Sequence, residues 1–306
     1  MLHFIRPPPS ITSHEELRGP AGRACERPAP VTPEYGMLIK VLFIGDIVGK
    51  PGRIAVHDLL PELRKQEALD YVIANAENVA GGSGVTINLF KKLLSYGVDF
   101  VTTGDHVYRR SEILPLLKEN HRIIRPLNFP EQAEGIGYSI VEVRPGVKIG
   151  IMQLIGRIFM QPVRCPFLTA DKAIEDIRKE TKAIIVDMHA EATSEKIALG
   201  WYLDGRVSAI FGSHTHVQTS DDRLLPKGTA YITDVGMTGP HEGVIGRVKE
   251  AVLAKFITYM PTPFDVATGD VRLCGAIATI DTDTGEAKEI KRICLFQPPT
   301  DYNEHD

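Results

Sequence analysis

The sequence predicts a sheet-centred α/β layer fold, and three observations carry that prediction. Between residues 38 and 101, short apolar runs alternate with helically spaced ones in the order β-α-β-α-β. Several of these runs are apolar at nearly every position, as in parallel strands covered on both faces. After residue 101 the elements continue as mixed strands and helices, with no internal repeat and no later shift in composition.

Each element has its own reason. Residues 38–44 are apolar except for Lys40 and stop at Gly45-Asp46. A loop with Gly49, Pro51 and Gly52 follows. Residues 53–65 then carry apolar side chains at 56, 59, 60 and 63, a helical spacing. A strand at 71–74 runs into Asn75-Ala76-Glu77-Asn78. Thr86 caps a helix reaching about Tyr96, with Gly97 suited to the position past its end. A third strand, 99–101, ends at Gly104-Asp105-His106, and a short helix covers 111–119. Residues 138–143 and 147–152 form a hairpin across Arg144-Pro145-Gly146. Beyond a proline-rich excursion at 161–167 come a helix at 170–179, a strand at 183–186 ending in Asp187-Met188-His189, and a helix at 194–202. Trp201 on that helix is expected in the core. The strand 207–211 leads into Gly212-Ser213-His214-Thr215-His216, the strand 230–232 into Thr233-Asp234. A helix at 244–256 and a last hairpin, 272–280 with 287–295, complete the chain.

Composition excludes several classes of function. The 306 residues are 43% hydrophobic and 24% charged, ordinary for a globular chain with a sizeable core. A net charge of −4 without a basic block excludes tight duplex nucleic-acid binding. No apolar run approaches the roughly 20 residues of a membrane span. Cys25, Cys165, Cys274 and Cys294 are far apart, as in a cytoplasmic protein with reduced thiols. Residues 1–36 are proline-rich and aperiodic, lack the apolar core of a signal peptide, and are expected to be a disordered extension or non-native leader. The expected domain covers 37–297, with a tail at 298–306. Gly49-Lys50-Pro51-Gly52 lacks the Gly-Lys-Ser/Thr ending of a phosphate-binding Walker A loop.

The functional signal is where the strands end. Asp46, Glu77 with Asn78, Asp105 with His106, His189, and His214 with His216 each close an apolar strand. In α/β sheets ligands bind at the carboxyl ends of strands. Any one of these residues could be a helix cap, but five strands in succession are poorly explained that way. His214 and His216, at i and i+2, point to one side if the backbone is extended. Mixed oxygen and imidazole donors suit iron, manganese or zinc better than calcium or magnesium. The donors outnumber what one ion takes, so two ions bridged by Glu77 are expected, an arrangement suited to phosphate-ester hydrolysis.

Gly45-Asp46, Gly104-Asp105-His106, His189 and Gly212-Ser213-His214-Thr215-His216 resemble the calcineurin-like metallophosphoesterase superfamily. The stretches 42–49, 75–78, 189–196, 200–208, 214–219 and 232–240 resemble more closely the YmdB-like branch of bacterial di-iron 2′,3′-cyclic-nucleotide phosphodiesterases. The likeness runs from about residue 37 to residue 295. It implies an αββα four-layer sandwich of mixed sheets flanked by helices. It also implies a small-molecule phosphodiester substrate, with in-line attack by a metal-bridging hydroxide. Asp46 and His216 would hold one metal and Glu77 would bridge. Asn78, Asp105, His189 and His214 would complete the second, the side taken by Asn78 staying open. His106 would be the general acid. Two positions depart from pattern: Val48 stands where the wider superfamily has His, and Asp105 where the branch usually has Asn.

Further candidates are weaker. Arg109, beside Arg110, could clamp phosphate, Tyr108 could stack on a base, Asn128 lies in a rigid loop, and His241 could line the pocket. A phosphomonoesterase, or a regulatory metal-sensing protein associated with RNA, would use the same residues; the latter should show a basic, aromatic-rich face. A homo-oligomer is compatible with the sequence.

Overall fold

The structure, a computed structural model, describes residues 37–299. The expected extension 1–36 and residues 300–306 of the expected tail lie outside the described residues. In chain order the elements are β1 (Leu38–Ile44), α1 (Gly49–Gln66), β2 (Tyr71–Asn75), α2 (Ile87–Ser95), β3 (Phe100–Thr102), α3 (Ile113–Glu119), β4 (Tyr138–Arg144), β5 (Val147–Ile155), α4 (Pro166–Ile177), β6 (Ile184–His189), α5 (Thr193–Leu203), β7 (Ala209–Ser213), β8 (Arg223–Leu224), β9 (Ala230–Ile232), β10 (Gly239–Pro240), α6 (Lys249–Thr258), β11 (Val271–Asp281) and β12 (Ala287–Phe296).

They build two six-stranded mixed sheets. In the first, β1, β2 and β3 are parallel, and β11 lies antiparallel to β1, with β12 and β10 paired to β11. In the second, β5, β6, β7 and β9 are parallel, with β4 and β8 as antiparallel edges. The faces explain the apolar runs. Ile39, Val41 and Phe43 of β1 meet Ile149, Ile151, Ile185 and Phe211 of the other sheet in a core between the sheets. Phe43 stacks on Phe211 at 5.1 Å between ring centres. Leu42 and Ile44, on the opposite face of β1, pack against Val56, Leu60 and Leu63 of α1 and Phe90 of α2. On the far side Leu154, Val186 and Met188 pack against Ile174 of α4 and Leu199 of α5. The order is helix, sheet, sheet, helix, the four-layer sandwich expected.

Several boundaries differ from expectation for local reasons. Helix α1 starts at Gly49: Pro51 is tolerated in the first turn, where no intrahelical donor is needed, and the Gly52 amide already closes on Val48 O at 3.1 Å. Helix α4 starts at Pro166 for the same reason. Helix α6 starts at Lys249 rather than 244, because Ile245 and Gly246 take φ of 45° and 88° in a two-residue turn closed by Val244 and Arg247. Thr86 caps α2 as expected, its hydroxyl accepting from the Leu89 amide at 3.2 Å. Trp201 is not in the core; it is exposed, with the Arg223 guanidinium 5.6 Å from its ring centre. No helix among the described residues is long and apolar enough to cross a membrane.

Candidate metal centre

The parallel strands of both sheets end at one place. Beta-strand β1 delivers Asp46, β2 delivers Glu77 and Asn78, and β3 delivers Asp105 and His106. From the other sheet β6 delivers His189 as its last residue, and the turn after β7 delivers His214 and His216. Ligand atoms of Glu77, Asp105, His189 and His214 all lie within 4.8 Å of one another. His189 Nε2 stands 3.2 Å from Asp105 Oδ1, 3.3 Å from Glu77 Oε1 and 3.0 Å from His214 Nδ1. Beside this group, His216 Nε2 is 3.8 Å from Asp46 Oδ1 and 3.2 Å from Asn78 Nδ2. The Asn78 Nδ2 therefore faces the Asp46–His216 side, while its Oδ1, the atom able to bind a metal, faces His106. Glu77 borders both groups, since Asn78 Nδ2 reaches its Oε1 at 3.2 Å. Gly104 is required for space: a Cβ there would overlap Glu77 Oε2 and His189 Nε2.

The two histidines of the turn do not converge through extended backbone. Beta-strand β7 stops at Ser213, and His214 and His216 have φ of 91° and 66°. Carboxylates hold this turn: the His214 amide donates to Asp46 Oδ2 at 3.1 Å, and the Thr215 amide and hydroxyl donate to Asp234 Oδ2 at 3.1 and 2.6 Å. Buried Lys196 completes the clamp, donating to Ser213 O at 2.6 Å and to Asp234 Oδ2 at 2.8 Å.

Each imidazole has one nitrogen tied and the other facing the centre, the arrangement that fixes a ligand's tautomer. His216 Nδ1 donates to Ile245 O at 3.0 Å, and His214 Nε2 lies 3.2 Å from Glu191 Oε2. For His189 the tie is a relay: the Ser213 hydroxyl donates to Asp187 Oδ1 at 2.6 Å, so it must accept from His189 Nδ1 at 2.9 Å. Gln153 and Asn75 donate to Asp187 Oδ2 at 2.8 and 3.2 Å. Burial pushes the Asp187 carboxyl up to about 6, against the pull of His189 and Ser213. Burial also works to raise Glu77 and Asp105, but the facing imidazoles of His189, His106 and, for Asp105, His214 hold both below the usual carboxylate range. His189 is the mirror case: burial lowers it, while Glu77 and Asp105 raise it well above the ordinary histidine value.

Do these residues fit metal ions? Asp46 Oδ1 is fully buried and has no hydrogen-bond partner among the described residues, a cost that a cation removes. The donors are carboxylate oxygens and imidazoles without thiolates, and they face inward in two adjoining groups. The set fits a transition-metal centre.

His106 stands at the rim, its amide donating to Glu77 Oε2 at 3.1 Å and its Nδ1 2.9 Å from Asn78 Oδ1. Its Nε2 is 3.6 Å from Asp105 Oδ2. A cleft of about 310 Å³ opens beside the centre, lined by Asp105, Arg109, Phe159, Met160, Gln161 and His214. Of the weaker candidates, only Arg109 lies there. Asn128 is fully buried, its amide spent on Ile155 and Arg164, so it ties the loop before α4 to β5 and faces no substrate. The Tyr108 hydroxyl donates to Glu134 O at 2.7 Å. His241 Nδ1 donates to Gly239 O at 3.0 Å and its Nε2 lies 3.9 Å from Cys274 Sγ, so its polar contacts are away from the centre.

Sequence reasoning missed Asp187, Lys196, Asp234 and Phe159 as parts of the site. The first had a legible signal, since it shares a strand face with His189 two residues on. Lys196 and Asp234 had none beyond lying in stretches that carried the resemblance.

Comparison with known proteins follows the same geometry. The model of the YmdB-like protein family matches residues 42–293. A Bacillus subtilis 2′,3′-cyclic-nucleotide 2′-phosphodiesterase is 45% identical over 84% of this chain and 97% of its own. A Thermus thermophilus protein of known structure superposes with a TM-score of 0.80 at 42% identity, covering 85% of this chain and 100% of its own. A Mycoplasma pneumoniae phosphatase does so with a TM-score of 0.81 at 34% identity, covering 88% and 98%. The chain belongs to the YmdB-like family.

Proposed function

We propose that this YmdB-like hydrolase cleaves 2′,3′-cyclic nucleotides to nucleoside monophosphates at a dinuclear metal centre within a domain spanning 37–297. One observation carries the reading: two adjoining donor groups meet at Glu77, Asp105 and His214 of one group line a cleft, and His106 stands beside Asp105. Asp46, Asn78 and His216 would hold one ion, and Asp105, His189 and His214 the other, with Glu77 common to both. When bound, such ions, iron before manganese or zinc, supply activated water near neutral pH and offset the charge of the phosphoryl oxygens.

The chain's own groups do the rest. His106 Nδ1 donates to Asn78 Oδ1, which leaves Nε2 as the atom that carries the mobile proton. That proton would go to the departing ribose oxygen, a step worth about 10²–10⁴-fold. Likeness to the Bacillus relative supports the 2′ oxygen as the leaving group. Arg109, exposed in the cleft, places a positive charge near the anionic substrate. Asp105 in place of the usual Asn keeps a ligand oxygen and adds negative charge, making a bound ion a weaker Lewis acid.

The test is metal content measured together with a panel of 2′,3′-cyclic, 3′,5′-cyclic and monoester nucleotides on iron- and manganese-loaded protein. Two ions per chain and preference for the 2′,3′-cyclic diester are expected; preference for monoesters would make the protein a phosphatase instead. His106→Ala should retain both ions and lose about 10²–10⁴ in kcat.

A further inference from the structure

We propose that Phe159 is the platform on which the substrate's nucleobase stacks, an inference that rests on the cyclic-nucleotide reading above. Phe159 is 90% exposed, and its backbone sits at φ 61°, in the left-handed region that bulky side chains avoid. A single exposed aromatic needs no explanation by itself. This one lines the same cleft as Asp105 and His214 of the metal centre. Its conformation is also enforced rather than loose. The Gly156 amide donates to His189 O at 2.9 Å, tying the loop to the end of β6. The Arg157 and Ile158 amides both donate to the buried Glu195 carboxylate, at 3.0 and 3.3 Å. Arg157 O accepts from the Met160 amide at 3.4 Å. Strained residues persist where their surroundings over-determine them, and such places cluster at ligand sites.

The loop is thus pinned at its start, and its apolar ring is left uncovered beside the place where the phosphate must lie. A ring held there matches the one flat apolar part of a nucleotide, the base, which extends away from the phosphate. Every base has a π-face, so stacking binds without selecting a sequence. The site should accept all four bases, with purines favoured by their larger area. Glu195 is the positioning residue, acting on substrate only through the loop.

The experiment compares 2′,3′-cyclic AMP with methyl riboside 2′,3′-cyclic phosphate, a baseless diester, on manganese-loaded wild type, Phe159→Ala and Phe159→Tyr. The alanine variant should raise KM for cyclic AMP about tenfold, leave kcat within about twofold, and change neither constant for the baseless diester. The tyrosine variant should restore the wild-type KM. Metal content and thermal midpoint of all three should agree, showing that the centre and fold are intact. Equal effects on both substrates, or none on cyclic AMP, would overturn the stacking role while leaving the phosphodiesterase reading in place. Wild type that cleaves neither diester overturns that reading, and this inference with it.

Discussion

The two sheets make unequal contributions to one centre. The first supplies oxygen: Asp46, Glu77, Asn78 and Asp105. The second supplies nitrogen: His189, His214 and His216. The acid side is held largely by backbone, since the amides of His214 and His106 donate to Asp46 and Glu77. The imidazole side is held by buried side chains, Asp187 and Ser213 behind His189 and the Lys196–Asp234 pair behind the turn. The difference follows from the ligands. A carboxylate offers two near-equivalent oxygens and needs only donors. An imidazole must present one particular nitrogen, so its other nitrogen needs a partner of fixed character.

The largest effect tests what both sheets share. Glu77→Gln removes the carboxylate that borders both donor groups, so both ions should be weakened and turnover should fall by at least about 10³. Metal analysis checks it: two tightly held ions in the variant would mean that Glu77 is not common to both groups.

Next comes the clamp behind the imidazoles. Lys196 and Asp234 are both buried and 2.8 Å apart. Lys196→Met leaves an unpaired carboxylate in the interior, which costs about 3–5 kcal/mol, read as a lower denaturant midpoint. The double variant Lys196→Met with Asp234→Asn should recover part of that loss. An unchanged midpoint in the single variant would show that the turn is held by its own backbone, and the contrast between the sheets would weaken.

A smaller effect isolates the relay. Asp187→Asn can present its amide to Ser213, turning the hydroxyl round and leaving His189 without its acceptor. Metal affinity should drop about 10–100-fold, with fold and His106 undisturbed. Equilibrium dialysis at fixed pH measures it. Affinity equal to wild type would show that Ser213 alone fixes the ring.

Strand identity and the residues that meet at the strand ends were readable because both rest on local signals. An apolar run closing in Asp, Glu or His is visible in a few consecutive residues, as at 38–46 and 71–78. The conformation at His214 and His216 was not, because it depends on Asp46 and Asp234 reaching the turn from 168 and 19 positions away. Nor was the role of Asn128 readable: an amide in a rigid loop looks the same whether its partners are a substrate or Ile155 and Arg164. Phe159 was passed over because nothing local marks it. Its meaning comes from Glu195, three elements later in the chain, and from a cleft that exists only once both sheets are in place.

The smallest effect is a matter of protons. In the metal-free protein, burial disfavours charge on His189, yet Glu77 and Asp105 raise it well above the usual histidine range, so the ring is protonated at pH 7. The same imidazole charge keeps both carboxylates low, so they carry no proton there. A ligand must offer a lone pair, and His189 Nε2 gains one only by losing its proton. Metal uptake at pH 7 should therefore release about one proton from His189. Titration calorimetry in two buffers of different ionisation enthalpy detects it: the binding heat should be more exothermic in the buffer whose protonation releases more heat. The release should shrink as pH rises through the His189 value, and it should be smaller in His189→Gln. Heats independent of buffer would mean that the ring is already neutral, and that the two carboxylates facing it do not charge it.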